Sequence, residues 1–175
     1  MARYLCTVEC PWSPEEAFAY MADVHNFAQW DPGVHQVRLL AGDGTSVGSA
    51  YALTLSNATR TVMRYVVEAH EQPRRLLLVA QTAVLRLVDE IRVEPAELGC
   101  IVTYDAVLTL NGPLSVFDSL LGVAFERLGD RAADGLKRVL SQPRAERAVS
   151  GDVAPSSWVE MLDAALELSV VGSFT

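Results

Sequence analysis

The chain is poor in the residues that many site chemistries need. Of 175 residues only three are cysteine and three histidine. So few thiols, odd in number, build no disulfide framework, and they point to a reducing, cytoplasmic setting. Cys6, Cys10, Cys100, His25, His35 and His70 show neither C-x-x-C nor H-x-x-x-H spacing, so no zinc site is expected. Basic residues are scarce, 14 against 22 acidic, for a net charge of −8. Nucleic acid and anionic membranes need a basic footprint and are excluded as partners. No apolar run reaches the ~18–20 residues that span a bilayer. The opening Met1-Ala2-Arg3-Tyr4 has no signal-peptide core. A G-x-S-x-G nucleophile elbow is missing too. The run Gly42-Asp43-Gly44-Thr45-Ser46-Val47-Gly48 has the glycines of a phosphate loop but the wrong spacing. A strand follows it where a phosphate would need a helix N-terminus, so it reads as a hairpin turn. Nothing in the sequence calls for a cofactor.

Apolar residues, by contrast, make up 50% of the chain. At roughly 100–200 residues per domain, the length gives one domain plus a short appendage. A strand is expected over Tyr4–Cys10. Ser13-Pro14-Glu15-Glu16 then forms a capping box with proline at the first helical position, followed by the apolar face Ala17, Phe18, Tyr20 and Met21. A second short helix starts near Asp23, carries Phe27 and Trp30, and stops at Asp31-Pro32-Gly33. From Val34 to Leu110 the hydrophobic period drops to two. Six strands are expected at Val34–Ala41, Val47–Ser56, Thr59–Ala69, Leu76–Thr82, Leu85–Glu94 and Cys100–Leu110, and short turns between them favour an antiparallel meander. A long helix runs from Pro113 to about Ser141, with Leu114, Phe117, Leu121, Phe125, Leu128, Ala132, Leu136 and Val139 in one apolar stripe. Its other side carries Asp118, Arg127, Asp130, Arg131, Asp134, Lys137 and Arg138.

Alternation within the strands assigns their faces. In Leu85–Glu94 the wet face is Arg86, Val88, Glu90, Arg92 and Glu94. Leu85, Leu87, Asp89, Ile91 and Val93 face inward, so Asp89 is a carboxylate among aliphatics. In Cys100–Leu110, Thr103, Asp105 and Thr109 are expected in water, with Val102, Tyr104, Ala106 and Leu108 inside. Arg60, Arg64 and Glu68 face out; Thr61, Met63, Tyr65 and Val67 face in. Tyr51, Leu53 and Leu55 form the inner set of Val47–Ser56. A sheet wet on one side needs a cover on the other, and the long helix has the only stripe large enough. Apolar walls with a few polar tips (Tyr51, Tyr65, Tyr104 and Asp89) are how a site for a mostly apolar small molecule is furnished. Buried carboxyls rise in pKa, which makes Asp89 a candidate proton donor or base. The alternative is a core in which these groups satisfy one another.

The element order, together with Ser13-Pro14-Glu15-Glu16-Ala17-Phe18, Ala22-Asp23, Phe27-Ala28-Gln29-Trp30-Asp31-Pro32-Gly33-Val34, Glu71-Gln72-Pro73-Arg74-Arg75-Leu76, Ile101-Val102-Thr103-Tyr104 and Ala124-Phe125-Glu126-Arg127-Leu128-Gly129, resembles the SRPBCC or START-like superfamily. The likeness is to its polyketide cyclase/dehydrase-like branch and covers about residues 2–141. It implies an α+β helix-grip fold: a curved, antiparallel, seven-stranded sheet wrapped around a long C-terminal helix, with two short helices after the first strand. It also implies binding of a small hydrophobic, polyketide- or lipid-like ligand between sheet and helix. Ligand-binding positions would be Trp30, Tyr51, Leu53, Met63, Tyr65, Leu87, Asp89, Tyr104, Phe117, Leu121 and Phe125. If chemistry occurs there, of the aromatase/cyclase or dehydratase kind, Asp89 with Tyr104 or Tyr65 would move the protons. Two departures stand out. Leu98-Gly99-Cys100-Ile101 replaces a Gly-Gly-Thr-like turn, and no inward histidine or arginine partners Asp89.

Residues 142–175 fall outside the resemblance. Gln142 to Pro155 reads as a polar linker. Ser157 to Glu160 opens a tail helix whose apolar side, with Trp158, Met161, Leu162, Ala165 and Leu166, permits a homodimer. The stretch Leu162–Phe174 also looks like the lead-in to a short-chain dehydrogenase domain, which would make this an N-terminal accessory domain of a larger oxidoreductase.

Overall fold

The computed structural model describes residues 1–56, 59–112 and 118–142, and within 118–128 the helix backbone alone. Strand β1 (Ala2–Cys10) leads into helices α1 (Pro14–Ala22) and α2 (Phe27–Trp30), joined by a 3-10 turn over Val24–Asn26. Six strands follow: β2 (Val34–Ala41), β3 (Ala50–Leu55), β4 (Val62–Glu71), β5 (Arg75–Gln81), β6 (Leu85–Ala96) and β7 (Gly99–Leu110). Helix α3 (Asp118–Leu140) closes the domain. The strands form one antiparallel sheet in the order β1-β7-β6-β5-β4-β3-β2. Consecutive strands are neighbours except at one place, where β1 returns to lie along β7 from Ala2↔Leu108 to Cys10↔Cys100. This is the helix-grip arrangement.

Local chemistry sets the helix boundaries. The Ser13 hydroxyl accepts from the Glu16 amide, and the Glu16 carboxylate accepts in return from the Ser13 amide, both at 3.2 Å. That reciprocal cap satisfies two amides that a helix start leaves bare. Asp23 caps the 3-10 turn by accepting from the His25 amide at 3.1 Å. After Trp30, the Asp31 carboxylate accepts from the Gly33 amide at 2.7 Å and turns the chain into β2.

β3 begins at Ala50 and not at Val47, as alternation alone suggested. Asp43 is the reason. Its carboxylate accepts from the amides of Thr45 and Ser46 at 2.9 and 2.7 Å and from the Ser46 hydroxyl at 2.6 Å, so residues 43–46 fold into a local turn. The Ser49 amide extends this loop by donating to the Ser46 carbonyl at 3.0 Å, and on β4 Gly48 and Ser49 both bond to Val67 alone, so regular pairing with β4 starts only at Ala50.

The inner face of the sheet is buried as alternation predicts. Ile91, Val93, Val102, Leu108, Met63, Val67, Leu53 and Leu55 all lie in the core. The outer face needs one correction. Asp105 points outward but is not wet; it is 7% exposed. Arg3 of β1 lies across it with two hydrogen bonds of 2.8 and 2.6 Å, and Arg92 of β6 stands 3.9 Å away. The chain of charges continues through Glu90, Arg75 and Glu71. Two arginine stems roof the carboxylate and shut out water, while Arg3 supplies its hydrogen bonds.

Helix α3 sits close to β1 and α2 because glycine faces both. A Cβ at Gly129 would strike the Tyr4 ring, and one at Gly135 would strike the Trp30 carbonyl. Ala132, Ala133, Leu136, Val139 and Leu140 are buried, while Asp130, Arg131, Asp134, Lys137 and Arg138 face solvent. The Trp12 indole donates to the Gln142 carbonyl at 3.0 Å and ties down the helix end. Among the described residues no helix is long and apolar enough to cross a membrane. Cys6, Cys10 and Cys100 are buried, and none is in a disulfide.

Candidate functional site

Asp89 lies mid-strand in β6, opposite Leu78 of β5 and Ala106 of β7. These three share a rung with Val67 and Tyr4. The inward position is fixed by the period of two. Asp89 is 3% exposed. The Tyr104 hydroxyl, from β7, donates to its Oδ1 at 2.9 Å. A hydrogen bond from Tyr65 of β4 reaches the same carboxyl. One strand separates Tyr65 from β6, and the residue opposite Tyr65 on it is Ala80, whose methyl leaves room for the phenol to pass.

Two further groups complete the cluster. The Trp30 ring packs edge-on against Tyr104 with centroids 5.3 Å apart, and lies tilted against Phe27 at 4.9 Å. Trp30 is 1% exposed, and among the described residues its Nε1 is a buried side-chain atom with no hydrogen-bond partner. Asp31 follows it directly. As a residue Asp31 is half-buried, yet its carboxyl is enclosed enough for burial to push it up to about 6, against the opposing Gly33 amide.

Burial likewise pushes Asp89 up to about 7. The hydrogen bonds from Tyr104 and Tyr65 pull it down, and the Asp31 charge pushes it up. Burial first, then the Asp89 charge, hold both tyrosines well above the ordinary phenol value. Near neutral pH, Asp89 is therefore divided between acid and base, and the tyrosines remain donors. A carboxyl so poised can hold the polar end of a ligand or exchange a proton with it.

The fold thus brings Tyr65, Asp89, Tyr104 and Trp30 together. Leu53 and Met63 face each other across β3 and β4, both buried. Leu87 is partly buried between Ala80 and Leu108. Tyr51 is the neighbour of Tyr65 across the strands, but its hydroxyl donates to the Gly44 carbonyl at 2.6 Å. Tyr51 borders a different space, a half-open cavity of about 340 Å³ between α1 and the β2–β3 loop, with Phe18, His25, Leu39 and His70. Phe117 lies outside the described residues, as do the side chains of Leu121 and Phe125 and the whole tail. Asp31 was not among the expected site residues. Asp-Pro-Gly reads as a helix stop, and no periodicity marks the side chain of a turn. Among the described residues, no three His, Cys, Asp or Glu side chains are grouped to hold a metal.

The sequence profile of the family described as polyketide cyclase / dehydrase and lipid transport matches residues 1–141. Among solved structures, a START superfamily protein from Mycobacterium smegmatis is similar, with TM-score 0.61 and 16% identity over 80% of this chain and 97% of that one. XoxI from Bacillus cereus gives TM-score 0.60 and 16% identity over 80% and 96%. The di-domain ARO/CYC StfQ from the steffimycin biosynthetic pathway gives TM-score 0.62 and 10% identity, with 82% of this chain spanning 51% of that one. At these identities the likeness is one of fold. No curated protein matches the chain by sequence.

Proposed function

Since the chain belongs to the polyketide cyclase / dehydrase and lipid transport family, we propose that residues 1–141 bind a small, largely apolar molecule, polyketide- or lipid-like, between the inner face of the sheet and α3, with residues 142–175 as a linker and helical tail. One observation carries this reading. The inner face places a carboxyl, held by two phenols, in the middle of aliphatic side chains. A core built for stability alone gains nothing there, because burying an ionisable group is costly. A binding chamber does gain, because a few fixed polar groups orient an apolar ligand.

A second reading is supported by the same carboxyl. Its value of about 7 suits general acid and base work at neutral pH, worth ~10²–10⁴-fold in rate. Asp89 would then be the proton-transfer group and Tyr104 or Tyr65 the donor to a ligand oxygen, in cyclisation or dehydration of a polyketone.

The test fills the chamber. Ala106, opposite Asp89 and 5% exposed, is replaced by Trp, and partly buried Leu87 is replaced likewise as a second probe. Binding of the neutral fluorophore N-phenyl-1-naphthylamine is titrated against each variant whose circular dichroism matches the parent. Loss of at least roughly tenfold in affinity is expected. Unchanged affinity in a folded variant would place the ligand elsewhere.

A further inference from the structure

The inner cluster has a sign. Asp89 and Asp31 are both carboxyls, close enough that the charge of Asp31 acts on Asp89. Around Asp89 the described neighbours are Tyr65 from β4, Leu78 from β5, Tyr104 and Ala106 from β7, and Asp31 from the turn after α2. None is cationic, and no lysine, arginine or histidine among the described residues is buried. Both phenol hydroxyls are engaged with Asp89. One donor is left open. Among the described residues Trp30 Nε1 is buried without an acceptor, whereas nearly all buried polar groups in folded proteins are paired. Its ring packs edge-on against Tyr104, whose hydroxyl donates to Asp89, so the open N–H belongs to the same cluster.

A cluster with an open N–H, two acidic groups and no buried cation distinguishes ligands by charge. An uncharged oxygen gives the indole its acceptor. A carboxylate would give it one too, but would set a third negative group in a low-dielectric site beside two others. We propose that the chamber admits an apolar molecule bearing an uncharged oxygen, a ketone or a hydroxyl that accepts from the Trp30 indole, and excludes the carboxylate of the same chain length. This rests on the ligand-binding reading above and narrows it: a ketone-bearing chain is favoured and a free fatty acid is refused.

The experiment uses the full chain at pH 8. Bound N-phenyl-1-naphthylamine is displaced in turn by 2-dodecanone, 1-dodecanol, dodecane and dodecanoate. The ketone and the alcohol are expected to compete at least roughly tenfold better than the carboxylate, since like charges brought together at a binding site repel partners strongly. The ketone should also outcompete the hydrocarbon. In Asp31→Asn and Asp89→Asn, which keep the side-chain shape, the carboxylate is expected to gain on the ketone, most of all in the double variant. In Trp30→Phe the ketone should lose its lead over dodecane. Equal competition by ketone and carboxylate in the parent protein overturns the charge selection while leaving ligand binding intact. If the probe does not bind the folded parent, or no competitor displaces it, the binding reading itself fails and this inference with it.

Discussion

Replacing Asp89 by Asn should stabilise the fold at pH 8 and change little at pH 4. Burial raises the Asp89 carboxyl to about 7, against about 3.9 in an unfolded chain. Between those values the folded state keeps a proton that the unfolded state has released, so the parent loses stability as pH rises through this window. About three units at ~1.4 kcal/mol each bound the loss at about 4 kcal/mol, complete above pH 7. Asparagine cannot ionise, yet its amide oxygen still accepts from Tyr104. For a chain of this size 1 kcal/mol moves Tm by roughly 2–4 °C. Calorimetry from pH 4 to pH 8 should therefore show the variant's Tm pulling ahead by about 8–16 °C at the alkaline end. Asp31, raised to about 6, works in the same direction, and Asp31→Asn should show a smaller gap that is complete nearer pH 6. If the Tm curves of parent and Asp89→Asn run parallel within about 2 °C, Asp89 is not the buried, proton-holding group described above.

Two other perturbations probe the surroundings. Gly135→Ala would drive a methyl into the Trp30 carbonyl; overpacking of that kind costs about 1–3 kcal/mol and should lower the urea midpoint with little change in slope. An unchanged midpoint would mean α3 does not lie against Trp30 as described. Tyr104→Phe removes a donor that holds Asp89 down, so the Asp89 titration, followed by carboxyl carbon NMR, should move upward by about one unit. A downward move would contradict the hydrogen-bond assignment.

Most of the fold was legible because the chain states it locally. The strand period of two and the turn residues place four of the six meander strands within two residues at both ends, while β3 and β4 each start three residues later than expected. The capping box at Ser13 starts α1 where expected. What could not be read is non-local. Asp105 lies next to Arg3 because β1 pairs with β7, a contact spanning about a hundred residues that no local pattern announces. Asp89, Tyr65 and Tyr104 were visible as polar residues on an apolar face, and the fold joins them. Asp31 was hidden because its sequence neighbours explain it as a stop signal, and it does serve as one. Its second role, as a charge felt by Asp89, depends on α2 carrying Trp30 and its neighbour onto the inner face of the sheet. Tyr51 shows the opposite case: alternation put it inside correctly, but the loop built on Asp43 and Gly44 draws its hydroxyl toward another space.

The central claim is that the domain holds a small apolar molecule beneath α3. Native mass spectrometry of the freshly purified full chain, followed by solvent extraction, tests it most directly. The account predicts an adduct of small-molecule mass that leaves with solvent, carries an uncharged oxygen, and is absent from a folded Ala106→Trp variant. An adduct retained undiminished by that variant would put the ligand outside the chamber and contradict the account.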